Sequence, residues 1–176
     1  TGEYISSAVK LEVTHAPGAA LFQLIGAVAA VFAFGNGENY SIVINSMSAL
    51  FSAFTILFLF WTITHLVRRL LHKDFNDITR HQEISILFAG VIGALCFTFS
   101  DTFWFSAVEG EVYSMASMFI ALLLWLITKW ENEYLESDNE RWIILIFFVT
   151  GLSVGVHMMG MLAIPAVCFI YYARNY

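Results

Sequence analysis

Glu109, Gly110 and Glu111 interrupt an apolar run that otherwise extends from Ser106 to Trp130. A carboxylate in or at the edge of a membrane helix is costly unless it lines a cavity or reaches the interface. A carboxylate within hydrogen-bond reach of a hydroxyl is also a suitable general base. If this stretch is helical, a turn of about 100° per residue points the two acids nearly opposite ways. They could not then share one task, and one would snorkel to the interface.

Four more residues could take part in such chemistry. Asp101 precedes Phe103, Trp104 and Phe105; the simplest reading is a helix N-cap before an interfacial aromatic belt, the other a contact to substrate. Glu3 and His15 stand in a mixed, polar N-terminal stretch, where each is equally a solvated loop residue. His157 lies at a Gly-rich helix end and reads either as a packing histidine or as a ligand for a polar group such as a phosphate. The acids and histidines are scattered and have no metal-ligand spacing. No cofactor is identified, and participation of a divalent cation stays open.

The elements that must position these residues are helices of membrane length. Of 176 residues, 59% are hydrophobic and 12% charged, against roughly half and a quarter in average soluble domains. The net charge of −6 comes from acids in loops between apolar runs and says little about partners. No basic patch with interleaved aromatics is present, which disfavours nucleic acid as a partner. Cys96 and Cys168 both sit in apolar runs and read as reduced, lipid- or core-facing thiols.

Ser41 to Val67 is the longest uninterrupted span, about 40 Å as a helix against a hydrocarbon core of about 30 Å. Residues 84–100 and 106–130 are further transmembrane helices. From Trp142 to Tyr172 the apolar run is too long for one ordinary span and contains Gly151, Gly155, Gly160 and Pro165. We read a helical hairpin turning near His157 to Gly160, with Gly151 and Gly155 as a close-packing step. Residues 1–17 read as a loop, and 18–34 as either a surface helix or a marginal span of about 26 Å. The chain reads as a single all-α membrane domain, a fragment of a longer protein at both ends. If the spans alternate from Ser41, seven of the 8 Lys and Arg fall on one side, which marks it as cytoplasmic. The acids near 101–111 and the His157 turn then face outward.

Several motifs carry a resemblance. Gly2-Glu3-Tyr4-Ile5, Lys10-Leu11-Glu12-Val13 and His15-Ala16-Pro17-Gly18-Ala19 precede an apolar helix, and Asp101 to Ser114 and Gly151 to His157 follow in order. Together they resemble a bacterial multi-pass membrane family, a domain of unknown function, related to an animal transmembrane O-mannosyltransferase. That family is similar to the GT-C glycosyltransferases, which take a sugar from a polyprenyl-phosphate carrier. The resemblance implies an external loop with an acidic Asp-x-Gly-Glu motif, then a Pro-containing stretch and a surface helix. Residues 18–34 would be that helix and 1–17 that loop. The motif's Asp would stand just before Thr1, and Ala16-Pro17 replaces the family's Pro-Pro.

The reading is therefore an all-α polytopic membrane bundle, the N-terminal part of a GT-C-like fold, in the bacterial inner membrane with its active face periplasmic. The expected reaction moves a sugar, mannose first among candidates, from a polyprenyl-phosphate donor to a hydroxyl of a protein or glycan. Glu3, Glu109 and Glu111 are the catalytic candidates; His15, Asp101 and His157 are the substrate-binding ones. Two other classes compete. A proton-linked transporter would also place acids and histidine in the membrane, although no internal repeat is present. A non-catalytic scaffold would use Gly steps and aromatic belts for packing alone.

Overall fold

The computed structural model describes residues 2–16, 18–71, 78–133 and 140–175. Thr1, Pro17, Lys73 and the middle of the acidic loop, 134–139, lie outside them. Among the described residues the chain is helical, with no strand: α1 Gly2–Lys10, α2 Ala20–Ala30, α3 Asn39–Leu71, α4 Arg80–Thr98, α5 Asp101–Val108, α6 Val112–Asn132, α7 Glu140–Val154 and α8 Ile164–Asn175. Short 3-10 turns, Val31–Ala33 and Met158–Ala163, follow α2 and precede α8. Helices α3, α4 and α6 are long and apolar enough to cross a bilayer. The chain is an all-α membrane bundle.

α3 is its centre. At 33 residues it is about 50 Å long, and α6 runs parallel beside it in register. Phe58 and Trp61 of α3 set their rings 5.6 and 5.2 Å from Trp125 of α6. One turn further on, the Asn132 side chain meets His65 Nδ1 at 3.2 Å, and Arg69 pairs with Glu131. α4 crosses α3 antiparallel where Gly90 and Gly93 remove side chains. A Cβ on Gly93 would stand 2.7 Å from Ile63, and one on Gly90 2.8 Å from the Phe60 ring. In lipid, burying apolar surface between helices gains little, so this close packing is what holds the pair.

The hairpin α7–α8 packs on the other side of α6. Trp142 Nε1 and Arg141 both donate to Glu133, at 2.5 and 3.1 Å. The indole first, then the guanidinium, hold the Glu133 carboxyl below its ordinary pKa. Farther along, the Trp130 and Tyr171 rings stack at 5.4 Å. The bundle thus has two chemically different ends. Arg68, Arg69, Arg80, Lys129 and Arg141 gather at the basic end; the start of α3, α5, the link 109–111 and the end of α7 form the acidic end.

α2 begins and finishes at the acidic end. Leu21 N–H donates to Gly155 O at 3.0 Å, tying the start of α2 to the end of α7. Phe34 and Gly35, with φ 51° and 77°, turn the chain in the left-handed region toward the start of α3. At 11 residues α2 is about 16 Å long, short of the about 30 Å needed to cross.

Several expectations differ in detail. The stretch 1–17, expected as a loop, contains α1. The span expected at 106–130 is divided: α5 ends at Val108, and α6 starts at Val112, because 109–111 makes a tight turn in which Glu111 N–H donates to Glu109 O at 2.8 Å. Asp101 is the first residue of α5, and Ser100 is the N-cap. Gly151 faces open space, so the Gly151/Gly155 step makes no paired contact among the described residues; a Cβ on Gly155 would stand 3.6 Å from Leu21 Cβ. Cys96 and Cys168 are free and exposed.

Candidate functional site at the acidic end

α1 is short, yet its buried side chains, Tyr4, Ser7 and Ala8, fall at the spacing of one helical face. That face docks on α2. Gln23 Nε2 donates to Ser7 Oγ at 3.2 Å in a buried contact, and a Cβ on Gly26 would come within 2.9 Å of the Ala8 methyl. The helix closes with Leu11 in the left-handed region, φ 54°. Its N–H bonds Ala8 O at 3.3 Å, and Glu12 N–H bonds Ser7 O at 2.9 Å, the paired bonds of a Schellman end. The chain then doubles back and brings His15 to Glu3.

That return forms a latch. His15 N–H donates to Glu3 Oε1 at 2.9 Å, and His15 Nδ1 lies 3.0 Å from both carboxylate oxygens. The backbone bond first, then the ring, hold Glu3 below its ordinary pKa. Glu3 is exposed, so its setting is fixed by these bonds and not by burial.

Tyr4, the residue after the latch acid, turns inward and is only 8% exposed. Its ring lies edge-on to both His15 and Phe22, each at 5.7 Å. Burial pushes the phenol up from its ordinary pKa, and the charges of Glu111 and Glu3, with the Tyr113 hydroxyl, push the same way. Tyr4 therefore remains a neutral phenol that feels the charge of two acids far apart in sequence. Sequence reasoning passed over it. The available signal was an aromatic residue directly after an acid and four before a small residue, Ala8.

Glu109 and Glu111 are not helical. Their φ and ψ are −108° and 139°, and −133° and 163°, and Glu111 N–H donates to Glu109 O at 2.8 Å, which closes a tight turn on Gly110. The expectation that they point apart held for a helix, and the link is not helical. Gly110 between them presses on α3, where a Cβ would lie 3.0 Å from Asn45 Oδ1 and Ile44. Both acids line one cavity of about 620 Å³, together with Phe97, Ser100, Thr102, Phe103, Phe105, Ser106, Tyr113, Ser117 and Met159. Among these described lining residues there is no lysine or arginine.

His157 borders the same cavity indirectly. Its Nδ1 accepts from Met159 N–H at 3.1 Å, and its ring lies 5.6 Å from that of Tyr113. Asp101 is exposed on α5 and does not line the cavity; Thr102 beside it does. Glu3 and His15 also lie outside the lining. A second, apolar groove of about 280 Å³ runs between α3 and α6, lined by Thr55, Leu59, Thr62, Ile120, Ala121 and Leu124. It shares Phe97 and Ser117 with the acid-lined cavity. Among the described residues no three His, Cys, Asp or Glu side chains are grouped to hold a metal ion.

Such a site can accept a proton at a carboxylate, donate from phenols, and take an apolar chain alongside. Comparison with known proteins points in a consistent direction. A Dictyostelium discoideum protein named Protein O-mannosyl-transferase tmem260 is 28% identical over 141 residues, 80% of this chain and 15% of that protein. A Mus musculus protein named Protein O-mannosyl-transferase TMEM260 is 28% identical over 154 residues, 87% of this chain and 19% of that protein. The chain thus spans less than a fifth of these relatives. No solved structure matches. The relation to an animal O-mannosyltransferase, read from the motifs around Asp101 and His157, is shown by these matches. Residues 1–176 match the family described as Protein O-mannosyl-transferase TMEM260 N-terminal domain, and the chain belongs to that family.

Proposed function

We propose that this domain forms part of a GT-C-like glycosyltransferase, and that its acidic end takes a sugar from a polyprenyl-phosphate donor and passes it to a hydroxyl acceptor. The observation that carries this reading is the junction at Phe97 and Ser117, where a cavity with two carboxylates meets an apolar groove between membrane helices. A lipid-linked sugar has the same two-part character. Its chain would lie along Leu59, Ile120 and Leu124, and its sugar phosphate beside Glu109, Glu111 and Tyr113. The names carried by the relatives support mannose as the sugar and a protein as the acceptor.

In the transfer, the acceptor oxygen forms a bond to the anomeric carbon as the bond from that carbon to the phosphate oxygen breaks. The bonding pair leaves with the lipid phosphate, and the acceptor proton passes to a carboxylate. We assign that role to Glu111, because Tyr4 and Tyr113 both stand in its surroundings, with Glu109 on the same cavity wall. The leaving phosphate gains negative charge, which donors at the site must stabilise. Tyr113 and the hydroxyl-bearing lining residues are available for that, and His157 orders the turn that carries Met159. Glu3 and His15 act as positioning residues, holding α1 so that Tyr4 faces Glu111. In this reading α2 lies along the membrane surface, the acidic end faces away from the cytoplasm, and in a bacterium it opens to the periplasm.

The test is photocrosslinking of the full-length protein with a polyprenyl-phosphate mannose analogue whose lipid chain carries a diazirine. Labelled peptides should map to 55–62 of α3 and 117–124 of α6, and unlabelled donor should protect them. Protected labelling confined to other segments would overturn the assignment.

A further inference from the structure

The opposite end of the bundle holds a second cavity that the transfer reaction does not use. It has a volume of about 530 Å³ and is lined from α3, α4 and α6. Arg68 and Lys129 bring two positive charges and Glu83 one negative, with Asn132 and Thr64 as neutral polar neighbours. Trp61 and Trp125, whose rings approach to 5.2 Å, form its wall, and the Lys129 ammonium stands 5.7 Å from the Trp125 ring centre. None of its lining residues also lines the acid-bearing cavity or the apolar groove.

The position matches the depth of lipid headgroups. Arg68 lies in the last turn of α3 and Glu83 in the first turn of α4, while Lys129 lies in the last turn of α6. Indoles and cations prefer this boundary layer. A scattered basic face would satisfy the charge rule for orientation; here the charges converge on one concavity instead. Guanidinium and ammonium groups with an amide beside them suit phosphate oxygens. Two apolar lining residues, Leu87 and Trp61, are 48% and 38% exposed, which suits contact with the upper part of an acyl chain. We propose that this cavity binds the phosphate headgroup of an anionic membrane lipid, at the face opposite the transfer site.

The full-length protein in nanodiscs provides the test, with its Tm measured in phosphatidylcholine alone and with phosphatidylglycerol added. A ligand bound only by the folded state raises Tm. Phosphatidylglycerol should raise it on the order of 2–4 °C. The R68Q/K129Q double variant should lose that rise, whereas R80Q/R141Q, with the same change of charge away from the cavity, should keep it. Equal losses in both variants, or no loss in either, would overturn the proposal. An equal rise produced by soluble glycerol 3-phosphate in phosphatidylcholine discs would overturn its lipid component. Should R68Q/K129Q not fold, E83Q supplies the second reading. Removing this carboxylate, the only one among the described lining residues, should enlarge the rise, and an unchanged or smaller rise would count against the site.

Discussion

Glu3 accepts the backbone N–H of His15 at 2.9 Å and meets that residue's ring Nδ1 at 3.0 Å. One carboxylate thereby clips both ends of the segment that carries α1. Because these bonds hold its pKa below the ordinary 4.5, folded Glu3 binds a proton less readily than unfolded Glu3. The latch is complete above the ordinary value and is lost as pH falls through the lowered one. Hydrogen exchange at the His15 amide, corrected for the intrinsic chemical rate, should show protection falling on the acid side of that value. In Glu3→Gln the step should be absent. A step that persists in the variant would assign it to another group.

Tyr4 separates packing from chemistry. Tyr4→Phe keeps the ring contacts with His15 and Phe22 and removes only the hydroxyl. It should lower sugar transfer by about tenfold, the value of one hydrogen bond to a charged group. Thermal stability should change little. Tyr4→Ala empties a buried site and should cost about 3 kcal/mol. Equal activity in wild type and Tyr4→Phe would remove the phenol from the account.

The seating of α1 depends on one missing methyl. Gly26→Ala would bring a Cβ within 2.9 Å of Ala8 Cβ, a rigid neighbour, and overpacking of this kind costs about 1–3 kcal/mol. Ala8→Gly in the same chain should recover part of that loss, a coupling read by a double-mutant cycle. Gly2→Ala, where nothing stands within 4 Å of the added carbon, is the matched control. Thermal denaturation of wild type, the two single variants, the double variant and the Gly2→Ala control decides it.

How much was legible depended on the range of the signal. Ser41 to Val67 contains no Asp, Glu, Lys or Arg and lies inside α3, Asn39–Leu71, because hydropathy and length act locally and need no tertiary information. The break near His157 was readable from its glycines, and the structure puts a turn there, with Met158–Ala163 in a 3-10 turn. α1 was passed over because nine residues with polar ends give a weak pattern, although Tyr4 and Ala8 already stood one turn apart. The common facing of Glu109 and Glu111 was hidden because it depends on Gly110 meeting Asn45 and Ile44, partners from a distant helix. For the same reason the electrostatic influence of Glu111 on Tyr4 was unreadable: no local rule connects α1 to the start of α6. The paired Gly151/Gly155 contact failed because a spacing names a helix face without saying whether another helix covers it.

The account stands most directly on Glu111. Steady-state transfer from polyprenyl-phosphate mannose to a Ser/Thr peptide, measured with full-length wild type and Glu111→Gln, isolates its role. The account predicts a fall in kcat on the order of 100-fold or more, as expected for loss of a general base, with the donor KM little changed. An unchanged kcat in a folded Glu111→Gln protein would contradict it and return Glu111 to a structural part in the wall between α5 and α6.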